Sequence, residues 1–197
     1  FHILLLAKNN EGYKNLMKLS SLGHLEGSHN GKPRIDKELI QKYYQGLIAL
    51  SGCLRGEIPQ LFLKNGQERA EAVARWYQNL FGPDNFYLEL QDHPDLALQT
   101  EVNNALIRIS RATNIPLVVT RDVHYLSPED REAQEVLSCI GLGAKLDDPN
   151  RPNFRSVERS FGQAAEIASR FEHVPEAVSN TLKIAEACNL ELTLGQW

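Results

Sequence analysis

Short apolar runs punctuate the chain at 2–7, 46–53, 86–91 and 116–120. Runs of this length, rich in Leu, Ile and Val and bounded by Gly, Asn, Asp or Pro, predict strands. The run at 116–120 is β-branched and uninterrupted, the pattern of a parallel strand covered on both faces. The run at 86–91 alternates apolar and polar residues, as strands do.

Between these runs the apolar spacing becomes helical. Tyr13, Leu16, Met17, Leu19 and Leu22 place a helix over 13–25, with Asn10 as its expected N-cap. Asp36 is the expected cap of a short helix over 37–44, which Gly46 ends. Further helices are predicted over 55–63, over 67–81 and over 95–113. Another runs over 127–140, where Ser127-Pro128 puts proline at the first helical position. A polar, proline-bearing loop follows at 146–153, then two helices over 157–171 and 175–188.

Strand and helix alternate as far as Asp147, and only helices follow. The alternation predicts an α/β fold of parallel βα units. The change at Asp147 divides the chain into a barrel segment, 1–146, and a helical transition segment, 147–197. Four such units do not close a barrel, so further strands are expected ahead of Phe1. A chain that opens on a strand, without an initiator methionine, reads as a piece of something longer.

Composition narrows the function classes. The chain has 197 residues, 42% hydrophobic and 23% charged, and its net charge is −4. That balance excludes a generally basic surface coating nucleic acid, while a local basic groove stays compatible. A metal-dependent site for phosphate esters needs no basic domain, because the ions carry the positive charge. Cys53, Cys139 and Cys188 form neither a CxxC pair nor a disulfide framework, which fits a reducing cytoplasm. No apolar run approaches the ~18 residues of a membrane span, and no signal-peptide pattern is visible.

Residues able to carry chemistry gather just past the strand runs: Cys53, Glu89, Asp92, His93, Asp122 and His124. Open α/β sheets and barrels place their chemistry at these carboxyl ends. Asp122 and His124 leave one strand two residues apart and point to similar sides. Thiolate, imidazole and carboxylate together suit zinc better than magnesium or calcium. Plainer readings stand beside these: a helix-capping aspartate, a half-buried loop histidine and a buried free cysteine. His2 stands at the amino end of its run, away from the expected rim. His24 and His29 read as solvated, His173 as structural, and Cys139 and Cys188 as core. No GxSxG, GxGxxG or GxxxxGK[ST] segment is present, and Gly141-Leu142-Gly143 is too short for a phosphate loop.

Several segments in order resemble one family. They are 2–9, 12–16, 32–36 (Lys32-Pro33-Arg34-Ile35-Asp36), 46–53, 86–93, 122–125 (Asp122-Val123-His124-Tyr125) and 146–149. Together they resemble the PHP (polymerase and histidinol phosphatase) domain of bacterial DNA polymerase III alpha subunits. The tail at 175–185 is similar to the segment leading into the polymerase palm. The resemblance implies part of a distorted (β/α)7 barrel with parallel strands, carrying a trinuclear zinc or manganese centre at the strand ends. It implies metal ligands at His2, Cys53, Asp122 and His124, with Asp122 and His124 the catalytic pair. Arg121 stands where many relatives have asparagine, and either contacts a phosphate or pairs with a carboxylate. The family's HxH pair and further ligands would lie ahead of Phe1, so this chain is expected to hold at most one ion. Asp122 and His124 would hold it, with Cys53 or His2.

In some members of that family the centre is a 3′–5′ exonuclease acting on DNA; in others it is degenerate and supports the polymerase. The expected functions are therefore a metal-dependent exonuclease or a metal-stabilised scaffold, with a stand-alone phosphoesterase as the third. The partners implied are DNA, the sliding clamp and a proofreading subunit, with no membrane.

Overall fold

The structure, a computed structural model, describes residues 1–149, 151, 157–192 and 195. Among them the predicted runs form β1 (Leu4–Ala7), β2 (Leu47–Leu50), β3 (Phe86–Gln91) and β4 (Leu117–Thr120). These make one sheet in the order β1-β2-β3-β4. β2, β3 and β4 are parallel, with Leu88 paired to Leu117 and Gln91 to Thr120.

β1 departs from the expected parallel arrangement. It runs antiparallel to β2, Leu4 opposite Leu50 and Ala7 opposite Leu47. The connection explains the reversal. Helix α1 (Asn10–Leu25) carries the chain away from the end of β1, and the 26–36 segment with α2 (Lys37–Lys42) brings it back. The chain thus re-enters the sheet at the end it left, where the Lys8 amide donates to the Gly46 carbonyl at 2.8 Å. Gly12 and Gly46 seal this end: a Cβ on Gly12 would lie 1.9 Å from the Gly46 oxygen. The N-cap of α1 is Asn9 rather than Asn10. Its extended backbone lets the side chain accept from the Gly12 amide at 3.0 Å.

The two faces of the sheet are covered differently. Leu47, Ala49, Phe86, Leu88, Leu117 and Val119 face α3 (Glu57–Asn65), α4 (Gln67–Phe81) and α5 (Ala97–Thr113). Those helices answer with Ala70, Ala74, Phe81, Val102, Leu106 and Ile109, all buried. Ile48, Leu50, Tyr87 and Val118 point the other way. Past α6 (Arg131–Leu142) and α7 (Ala164–Arg170), helix α8 (Pro175–Ala187) meets them with Ile184. Asn180 of α8 donates to the Leu117 carbonyl at 2.8 Å. Each large buried apolar side chain contributes about 1.5–3 kcal/mol, and one such hydrogen bond about 1. Stability therefore rests chiefly on the α3–α5 side, while α8 covers only part of the opposite face.

The helix predicted over 157–171 forms only as α7. Residues 157–163 instead run across the end of β4 as a strap. The His124 amide donates to the Arg159 carbonyl at 2.9 Å, the Phe161 amide donates to the Tyr125 carbonyl at 3.0 Å, and Ser160 bridges Tyr125. Backbone pairing with 124–126 wins over a helical register that Gly162 weakens. The start at Ser127 follows the prediction, with Pro128 at N1 and a reciprocal Ser127–Asp130 cap. The loop predicted at 146–153 lies partly outside the described residues. No helix among the described residues is long and apolar enough to cross a membrane.

Candidate functional site

The antiparallel course of β1 brings His2 to the rim where β2, β3 and β4 end. The His2 amide donates to the Arg55 carbonyl at 2.9 Å, and its Nδ1 lies 3.5 Å from Cys53 Sγ. Gly52 makes the approach feasible: its φ is +79°, and a Cβ there would lie 2.9 Å from the His2 carbonyl oxygen. The histidine that strand-end reasoning leaves unplaced thus meets the cysteine 51 positions on.

Asp122 and His124 form a second pair at the end of β4. Asp122 takes the left-handed conformation, φ 49°. Its carbonyl accepts from His124 Nδ1 at 2.6 Å, and its Oδ1 lies 3.9 Å from the same nitrogen. A carbonyl only accepts, so Nδ1 is the donor in this contact. The other Asp122 oxygen, Oδ2, pairs with the Arg159 guanidinium.

Asp122, His2 and Cys53 line one open cavity of about 1110 Å³, with Glu89, Gln91 and Thr120 on the same wall. Their types (imidazole, thiol and carboxylate) fit zinc. Their grouping is looser than a finished metal site. Among the described residues no three of His, Cys, Asp and Glu come close enough together to hold an ion. The donors stand instead as two pairs, His2 with Cys53 and Asp122 with His124, and Arg159 occupies one oxygen of Asp122.

Asp92, at 2% exposure, is held by charge pairs. Arg121 Nη1 donates to Oδ2 at 2.6 Å, and Arg170 donates to both oxygens at 2.7 and 2.6 Å. Arg121 also donates to the Ser160 carbonyl at 2.8 Å, and its side chain is 13% exposed. Of its two readings, pairing with a carboxylate describes its place here. Glu89 is buried; Thr120 and Gln91 donate to its Oε1 at 2.6 and 3.2 Å, and its Oε2 meets no donor. His93 is also buried, and burial, followed by the nearby Arg159 charge, pushes its pKa down. No hydrogen bond of normal geometry reaches its ring nitrogens, the Glu158 backbone being a weak partner.

The remaining histidines lie away from this rim's chemistry. His24 shares Nδ1 with the Ser20 carbonyl on an exposed helix face, His29 sits in a hairpin, and exposed His173 stacks on Phe171. Cys139 is buried, and half-buried Cys188 packs against the α8-side cluster. Sequence reasoning passes over Arg159 and Arg170. Their carboxylate partners are 37 and 78 positions away, so no local pattern marks them.

The mostly parallel sheet with its flanking helices agrees with comparison to known proteins. Residues 1–93 match the model of the PHP domain. Along nearly all its length the chain is similar to the alpha subunit of DNA polymerase III. It is 45% identical over 192 residues to that subunit of Treponema pallidum and 44% over 189 to that of Borreliella burgdorferi. To that of Thermus aquaticus it is 41% identical over 198 residues. These matches cover 98%, 96% and 99% of the chain, and the chain spans 16% of the length of each relative.

Proposed function

We propose that this rim belongs to a metal-dependent phosphodiesterase that trims the 3′ end of DNA, within an alpha subunit of a cytoplasmic replicative polymerase. The sliding clamp and a proofreading subunit would be that polymerase's partners. One observation carries the reading: β1 reverses direction and so puts His2 on Cys53, in the cavity that Asp122 also lines. Ligand-type side chains from separate elements meet at the rim where such folds do chemistry.

The pairs His2 with Cys53 and Asp122 with His124 would each supply donors for zinc or manganese. Such an ion, when bound, supplies hydroxide at neutral pH and stabilises charge on the leaving oxygen. The chain's own residues prepare the place. The Asp122 carbonyl accepts from His124 Nδ1, so Nε2 would be the coordinating atom. Glu89, Gln91 and Thr120 provide a polar wall, and the strap at 157–163 reaches the rim through Arg159 on Asp122. The test is shortening of a 5′-labelled single-stranded oligonucleotide, with and without chelator. Chelator-sensitive loss from the 3′ end, abolished in Asp122→Asn, is the expected result. Absence of metal-dependent shortening overturns the reading.

A scaffold is the second reading, and the arginine pairs favour it. Arg121 and Arg170 on Asp92, with Arg159 on Asp122, tie the strap and α7 to the strand ends. On that reading removal of zinc lowers thermal stability and no nuclease activity is found.

A further inference from the structure

The segment between α1 and α2 rises beside the rim as a small built hairpin. The His29 and Lys32 backbones exchange hydrogen bonds at 3.0 and 3.1 Å around Asn30 and Gly31, which have φ of 52° and 71°. Two positive φ values make this a type I′ turn, which Asn-Gly favours. The base is pinned where the Arg34 amide donates to the Gly27 carbonyl at 3.1 Å. Lys32, Pro33, Arg34 and Ile35 form a wall of the same cavity that holds His2, Cys53 and Asp122.

The cations on this hairpin differ from others at the rim. Arg121, Arg159 and Arg170 are paired with carboxylates, and Lys37 is paired with Glu57 at 2.7 Å. Lys32 and Arg34 are exposed and form no ion pair or side-chain hydrogen bond among the described residues. Two acids of the cavity beside it have other partners. Asp36 accepts from the Leu39 amide at 2.8 Å, and Glu57 accepts from Lys37 and Tyr77. The hairpin therefore offers two cations that pair with no carboxylate among the described residues to whatever enters the cavity. At about 1110 Å³ the cavity exceeds the roughly 300–1,000 Å³ of a small-molecule pocket.

We propose that Lys32 and Arg34 form a guiding arm for the phosphate backbone of a single-stranded polynucleotide. This rests on the phosphodiesterase reading and names residues that would position its substrate. The arm contacts phosphates behind the reacting end, so it governs binding of a polymer and leaves the chemical step alone.

The experiment compares the native protein with K32A/R34A and with the charge-matched K42A/K64A, whose residues do not line the cavity. Fluorescence anisotropy of a labelled oligothymidylate is measured in chelator, so that nothing is cut. Binding should weaken about tenfold in K32A/R34A, with the salt slope smaller by about 1.4, ~0.7 for each phosphate no longer neutralised. K42A/K64A should match the native protein, and K32R/R34K should restore most of the affinity. With metal present, KM for oligothymidylate should rise about tenfold with kcat unchanged, while hydrolysis of thymidine 5′-(p-nitrophenyl) phosphate stays the same. Native-like oligothymidylate binding by K32A/R34A overturns the arm, as does an equal loss in K42A/K64A. Arm-dependent binding without any metal-dependent cleavage supports the arm and removes the hydrolase reading instead.

Discussion

Arg170 grips Asp92 through two bonds, Nε to Oδ1 at 2.7 Å and Nη2 to Oδ2 at 2.6 Å, across 78 positions of chain. Arg121 holds the same carboxylate from the other side at 2.6 Å. Removing one member of a buried ion pair strands the others, at a cost of about 3–5 kcal/mol. Asp92→Ala should therefore destabilise by about that much and Arg170→Ala by less, since Arg121 remains on the carboxylate. Urea unfolding midpoints measure both, and a native midpoint for Asp92→Ala would show the network to be energetically idle.

Gly12→Ala should be poorly tolerated. The new methyl would meet the Gly46 backbone oxygen at 1.9 Å, and backbone cannot step aside as a side-chain tip can. Overpacking of this kind costs about 1–3 kcal/mol, and this clash belongs at the upper end. Thermal unfolding should show a lowered midpoint, whereas Gly31→Asn, at a turn with open space around it, should shift it far less.

Cys53→Ser and His2→Gln should each lower zinc affinity if these side chains are donors. The loss should be at least the ~10–100-fold that follows when even an outer partner of a ligand is removed. Competition against a chromogenic chelator reads it directly. Native affinity in both variants would place the metal elsewhere.

Acid should loosen the strap through Glu158. Burial pushes its pKa up, but the Ser160 amide and hydroxyl, with Arg131, outweigh this and hold it at about 2 against an ordinary 4.5. The unfolded chain therefore binds this proton more readily than the folded one. The contribution to stability is complete above about pH 4.5 and is lost as pH falls from there through about 2. Thermal midpoints of the native protein should fall more steeply over that window than those of Glu158→Gln. Parallel curves would remove the assignment.

The run Leu117–Thr120 is legible because an uninterrupted β-branched stretch has few alternatives to a buried strand. The positions of Cys53, Asp122 and His124 just past strand ends are legible too. The direction of β1 is not, because it depends on how many times the chain crosses the domain between β1 and β2. Without that direction the contact of His2 with Cys53 is invisible. The strap reads as helix from its spacing, but its fate is decided by backbone partners at 124–126, more than thirty positions upstream. Arg159 and Arg170 carry no local signal at all, because surface arginines are common and pairing is set by the fold.

Among the described residues β1 pairs on one side only, so His2 hangs from the margin of the sheet. Margins fray before centres do. Opening of the β1 ladder would lift His2 off Cys53 while Asp122 and His124, anchored to β4 and the strap, stay in place. The two donor pairs thus have unequal lifetimes. Amide exchange at Leu4 and Leu6 would then time how often the candidate centre comes apart, and anything that braces β1 from its open side would slow that clock.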